Sequence, residues 1–196
     1  MWWAPLLNNI AALFGTGAAA STTSYESIAT VTVGAGGSSN VTFTSIPSTY
    51  KHLQIRGISR TDRSSDSNDV IAVQFNSDTG SNYAYHNLLG NGSIAKAENA
   101  TSQSSMWVWE TSSSTTTASV FGATIMDILD YSNTNKYKTM RSLGGMDFNS
   151  ASTNAQVGLT SGLWQNTSAV SSVKIYPAIG SNFAQYSSFA LYGVKG

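Results

Sequence analysis

From Tyr25 onward, apolar and polar positions alternate in short runs. Leu53, Ile55 and Gly57 fall on one side of such a run, as do Ile71, Val73 and Phe75. Val173 and Ile175 alternate with Lys174 and Tyr176, and Phe189 and Leu191 alternate with Ala190, Tyr192 and Val194. Successive side chains of a strand point to opposite faces, so a period of two marks half-buried antiparallel strands. The pattern predicts strands at 25–33, 40–46, 51–59, 69–76, 82–88, 104–110, 118–130, 136–143, 156–163, 170–178 and 187–194. Turn-forming clusters separate them: 34–40, 76–80, 90–92, 133–135 and 180–182 are rich in Gly, Asn and Ser. Many short strands with glycine-rich turns predict an all-β fold, an antiparallel β-sandwich of jelly-roll type. The run 118–130 reads as one long strand that crosses between sheets or bulges near Asp127, and 111–117 as an exposed polar loop.

Residues 1–24 follow a different pattern. Pro5 suits the first turn of a helix, Leu6, Ile10, Leu13 and Phe14 recur at helical spacing, and Gly15 suits a helix end. A linker of small residues follows. The expectation is two parts: an N-terminal arm, helical or extended, over 1–24, and one sandwich domain over 25–196. Trp2, Trp3, Leu6, Leu7, Ile10, Leu13 and Phe14 would dock the arm onto a partner chain. The apolar start has no Lys or Arg, and the first charged side chain is Glu26, so it does not read as a secretion signal.

Charge narrows the function. Only 10% of the 196 residues are charged, formal net charge is zero, and hydrophobic content is 41%, enough for a core. No basic stripe offers itself to phosphates, so nucleic acid is not an expected partner. No run of 18 apolar residues predicts a membrane-spanning helix. The chain has no cysteine, which removes disulfides, thiolate metal sites and cysteine nucleophiles. Low net charge suits a chain that lives in an assembly.

Candidate chemistry is sparse. Asp62, Asp66 and Asp69, with Asn68 and Asn76, offer oxygen ligands for calcium, but Arg60 and Arg63 sit among them and the spacing is no EF-hand. The loop reads as a solvated one with local ion pairs. His52 and His86 are far apart on strands and flank no nucleophile motif. Asp127 and Asp130, three residues apart on a strand, point to opposite faces rather than flanking one bond. No catalytic residue, metal or cofactor is expected. Aromatic pairs carry the strongest binding signal. Trp107 and Trp109 share one strand face, and Tyr83 and Tyr85 share another. Such pairs fill a core, line a subunit interface or stack on sugar rings.

Two stretches are familiar. Residues 25–39 (Tyr25, Glu26, Ser27, Ile28, then Val31 to Gly37) and 43–57 (Phe43 through Pro47, Tyr50, His52 and Gly57) resemble a recurring group of virion structural proteins of tailed bacteriophages. The segments 75–83 and 189–196 are similar too. The resemblance implies a particle component, located in the virion and assembled in the host bacterial cytoplasm, with no catalytic motif. The resulting expectation is a capsid decoration, cement or short head-fibre protein that acts by subunit contact. Its partners would be copies of itself, as a homotrimer, and other virion proteins such as the major capsid or tail proteins. The alternatives are a tail-fibre or receptor-binding component, with a host glycan as partner, and a secreted carbohydrate-binding module.

Overall fold

In a computed structural model, residues 24–149 and 155–196 are described. Among them the chain forms twelve strands and no helix. In order they are β1 (Tyr25–Thr32), β2 (Val41–Phe43), β3 (His52–Ser59), β4 (Asn68–Phe75), β5 (Tyr83–Gly90), β6 (Ala95–Gln103), β7 (Met106–Ser112), β8 (Gly122–Leu129), β9 (Lys138–Met146), β10 (Gln156–Trp164), β11 (Val173–Pro177) and β12 (Ser188–Val194). The arm, residues Trp2 to Phe14, lies outside the described residues.

Two antiparallel sheets face each other. The larger has the order β1-β12-β3-β8-β9-β10-β5-β6, and the smaller β2-β11-β4-β7. Set aside the hairpins β5–β6 and β9–β10, and eight strands remain. Taken in chain order, they pair as first-eighth-third-sixth and second-seventh-fourth-fifth, which is the jelly roll of two Greek keys. The two hairpins are insertions. Both join the same sheet, where β10 pairs with β5 from Val157↔Gly90 to Trp164↔Tyr83. One sheet therefore has twice the strands of the other.

The alternating apolar positions fill the space between the sheets. Leu53, Ile55, Met126, Ile128, Met140, Phe189 and Leu191 come from the larger sheet, and Phe43, Ile71, Val73, Phe75, Val173 and Ile175 from the smaller. Among the described residues, Trp164 is the largest buried side chain. It meets Phe75 edge-on at 5.7 Å and stacks on Tyr83 at 6.3 Å, and its indole N–H donates to Asp78 Oδ2 at 2.7 Å. Most buried polar groups are also partnered, although Thr61 Oγ1 and Asn87 Oδ1 have no hydrogen-bond partner among the described residues. The Lys138 ammonium, fully buried, donates to the carbonyls of Asn133, Lys136 and Thr167.

Three expectations need correction. The long strand expected over 118–130 begins only at Gly122, because residues 117–120 form a turn, with the Val120 amide bonded to the Thr117 carbonyl. The loop expected at 111–117 starts instead inside β7. Thr111, Ser112 and Ser113 are buried, and the hydroxyls of Thr111, Ser112 and Ser113 donate to the carbonyls of Ser59, Val120 and Asp66. Strand β6 was not expected at all. It is a polar edge strand without apolar alternation, mostly exposed on both faces.

Gly193 of β12 lies under the Tyr50 ring, whose hydroxyl donates to Glu26 on β1. A Cβ there would sit 2.3 Å from a ring carbon. Gly193→Ala is expected to lower unfolding stability by about 1–3 kcal/mol, the usual cost of overpacking. A urea titration that leaves the midpoint unchanged would contradict this packing.

Candidate functional site

The outward face of the larger sheet carries an apolar row. Cross-strand register aligns Ile125 of β8 with Leu143 of β9, Leu143 with Leu159 of β10, and Leu159 with Leu88 of β5. Paired residues share a face, so four branched aliphatic side chains stand side by side across four strands. They are 43%, 51%, 52% and 54% exposed in that order, which leaves half of each in solvent. The neighbouring row runs Ile58, Ala123, Gly145, Val157, Gly90, and its two large members are also more than half exposed. A single exposed Leu is ordinary, but a contiguous patch marks a contact surface.

A chain of polar contacts borders the patch on its other side. The Arg56 guanidinium lies over the rings of Tyr192 and Tyr25, at 5.2 and 5.6 Å from their centroids. Arg56 Nε donates to Gln54 Oε1 at 2.9 Å, and Gln54 Nε2 donates to Asp127 Oδ1 at 2.9 Å. Arg141 Nε donates to Asp127 Oδ2 at 3.0 Å. Asp127 is thus tied into an outward-facing brace across β3, β8 and β9. His86 is exposed on the same face, two residues from Leu88.

The aromatic candidates divide. Tyr83 is fully buried, and its hydroxyl accepts from the Phe75 amide at 3.0 Å. Burial pushes its phenol pKa up, and no sugar can reach it. Tyr85, 5% exposed, also faces inward and stacks on Trp107 at 6.0 Å. Tyr83 and Tyr85 therefore share a face as expected, but that face is the core. Trp107 is the one of the three with substantial exposure, 38%. The backbone of Trp109 pairs with Ile71, while its side chain lies outside the described residues. Beside Trp107 a cleft of about 130 Å³ is lined by Val70, Asn87, Leu89, Glu98, Glu110 and Thr160. Burial raises the Glu110 pKa, and Asn68 and Gln156 donate to its carboxylate. Pockets for drug-sized ligands run to about 300–1,000 Å³, so this cleft is small by that measure.

The remaining polar candidates are committed to structure. Asp62 Oδ1 accepts the amides of Ser181 and Asn182 at 2.8 and 2.9 Å, and Oδ2 accepts the Asn182 side chain at 2.9 Å. Asp69 is buried and accepts the amides of Val70 and Gly180. Asp66 pairs with Arg63 at 3.6 Å. Asp62 and Asp69 clamp the turn at 180–182 through its amides, while Asp62, Ser64 and Ser65 remain exposed and Asp66 keeps the local ion pair expected of a solvated loop. Among the described residues, no three His, Cys, Asp or Glu side chains gather as a metal site. His52 Nδ1 accepts the Asp130 amide at 2.9 Å. Asp127 and Asp130 do not converge: Asp130 binds Lys51 and Lys136 in the turn after β8.

The outward row of Leu88, Ile125, Leu143 and Leu159 is the feature that sequence reading missed. Alternation marks strands, but not which residues of distant strands lie abreast. No family model, curated protein or solved structure matches the chain.

Hydrogen bonds from Lys136, and then from Lys51, hold the Asp130 carboxyl at about 2, below the ordinary aspartate value. A depressed folded-state pKa contributes stability that is present above the unfolded value of about 3.9 and lost as pH falls. Unfolding free energy should therefore drop between about pH 4 and pH 2, and Asp130→Asn should flatten that segment. Identical pH profiles for the two proteins would remove the linkage.

Proposed function

We propose that the chain is a structural component of a bacteriophage virion, a capsid decoration or short head-fibre protein that acts by subunit contact. The observation that carries this reading is the apolar row on the outward face of the larger sheet. Fold alone does not assign function, since jelly rolls serve capsids and lectins alike. The row supports adhesion because its side chains are already ordered by the sheet and need only a partner to leave water.

Magnitudes support an extended contact rather than a point one. Completing the burial of one half-exposed Leu or Ile is worth about 1 kcal/mol, so the row supplies roughly 4 kcal/mol. Association costs are estimated at about 4–15 kcal/mol, so the flanking rows must also be covered. The N-terminal sequence supplies further apolar residues for docking, Trp2, Trp3, Leu6, Leu7, Ile10, Leu13 and Phe14. The acidic residues serve as clamps and braces, consistent with a protein that holds rather than reacts.

Antibody raised against the chain should label purified phage particles in electron micrographs. Deleting residues 1–20 should leave the sandwich folded, with an unchanged β-type circular dichroism spectrum, and remove the label from particles. Particles that never carry the chain would refute the virion role. Equal labelling with and without residues 1–20 would refute docking through the arm.

A further inference from the structure

We infer that the outward face of the eight-stranded sheet packs against the same face of a second copy of this chain. The two copies are related by a two-fold axis running between β9 and β10, parallel to those strands. This rests on the subunit-contact reading and names its partner.

The argument is one of register. Such an axis exchanges β9 with β10 and β8 with β5, and leaves each cross-strand row facing its own copy. Within the apolar row, Leu143 then meets Leu159 of the second copy, and Ile125 meets Leu88, so all four contacts are aliphatic. In the neighbouring row Val157 meets Gly145, a side chain against a position without one, and Ala123 meets Gly90. In the polar row Asp127 faces His86, and Arg141 faces Ser161. No like charges are opposed. Each sheet face thus supplies what its own copy needs, which is the requirement of an isologous contact.

The axis overlays six of the eight strands, β3-β8-β9-β10-β5-β6, and leaves β1 and β12 outside the contact. Five strand spacings of about 4.8 Å and eight residues of about 3.3 Å give roughly 630 Å² per copy. A standard interface takes about 600–1,000 Å² per partner, so the contact falls at the small end of that class. Two sheets packed in this way have nearly aligned strands, the usual arrangement of stacked sheets. The edge of the sheet is a poorer route to association: β6 is polar and carries Lys96 and Glu98, which ion-pair with each other along it. An isologous contact closes at two chains, rather than at the three expected from sequence.

The test uses the full chain and two exposed positions, Leu143→Glu and Leu159→Lys. Light scattering should give a two-chain mass for the unmodified protein at tens of micromolar. Each variant alone should dissociate at least tenfold more readily, with an unchanged melting temperature, because its new charge faces a Leu. Mixed one to one, the variants should recover a two-chain species, since the introduced carboxylate and ammonium then face each other and the second pair stays aliphatic. The inference falls if the unmodified protein is a single chain or a three-chain species. It also falls if the variants keep the original mass, or if the mixture stays monomeric. A chain that pairs in this way but is absent from particles keeps the inference and removes the virion role. A chain that is monomeric yet present in particles does the reverse.

Discussion

The structure depends on how two inserted hairpins are joined. β10 and β5 come from different insertions, and their ladder is what widens one sheet of the jelly roll to eight strands. Its register is locked from inside. Trp164 and Tyr83 form the last pair of that ladder, stack on one another, and both reach Asp78, through the indole N–H and the tyrosine hydroxyl. A slip of one residue would turn the buried indole toward water and strand the Asp78 contact. The same register sets Leu159 beside Leu88 on the opposite face. A contact inside the sandwich therefore composes the surface outside it.

Much of the fold was legible because burial on one face leaves a period of two. Strands β3, β4, β11 and β12 announce themselves in this way. β6 does not, because both its faces meet solvent and nothing selects apolar residues at either. β9 shows a subtler limit. Its inward residues include Lys138 and Ser142, and its outward ones include Leu143. Hydropathy alone assigns these the wrong way round. Lys138 can turn inward because three carbonyls receive its ammonium, and Ser142 because its hydroxyl donates to the Val108 carbonyl. Thr167 and Val108 lie in distant segments, and the Asn133 and Lys136 carbonyls of the preceding turn are backbone groups that leave no mark in side-chain hydropathy.

The same reasoning applies to the aromatic pairs. Alternation placed Tyr83 and Tyr85 together, but their ring partners in the fold, Trp164 for Tyr83 and Trp107 for Tyr85, lie on other strands. The acidic loop was legible in part. Its exposed residues and the Arg63–Asp66 pair follow from the local sequence, but the amides that Asp62 and Asp69 accept come from the turn at 180–182, far along the chain. Arg60 shows the same economy: its guanidinium gathers the carbonyls of Thr116, Thr117 and Val120 and shapes the approach to β8. In a chain with few ionisable groups, those present hold loops together.

The pairing of β1 with β12 begins at Tyr25↔Val194 and runs through seven register pairs to Thr32↔Ser188. A pull applied to Tyr25 along the axis of β1 would load its hydrogen bonds to β12 together in shear instead of peeling them one at a time. A tether attached at this corner grips the body by a whole strand, and resists a sudden tug better than one that could be unzipped.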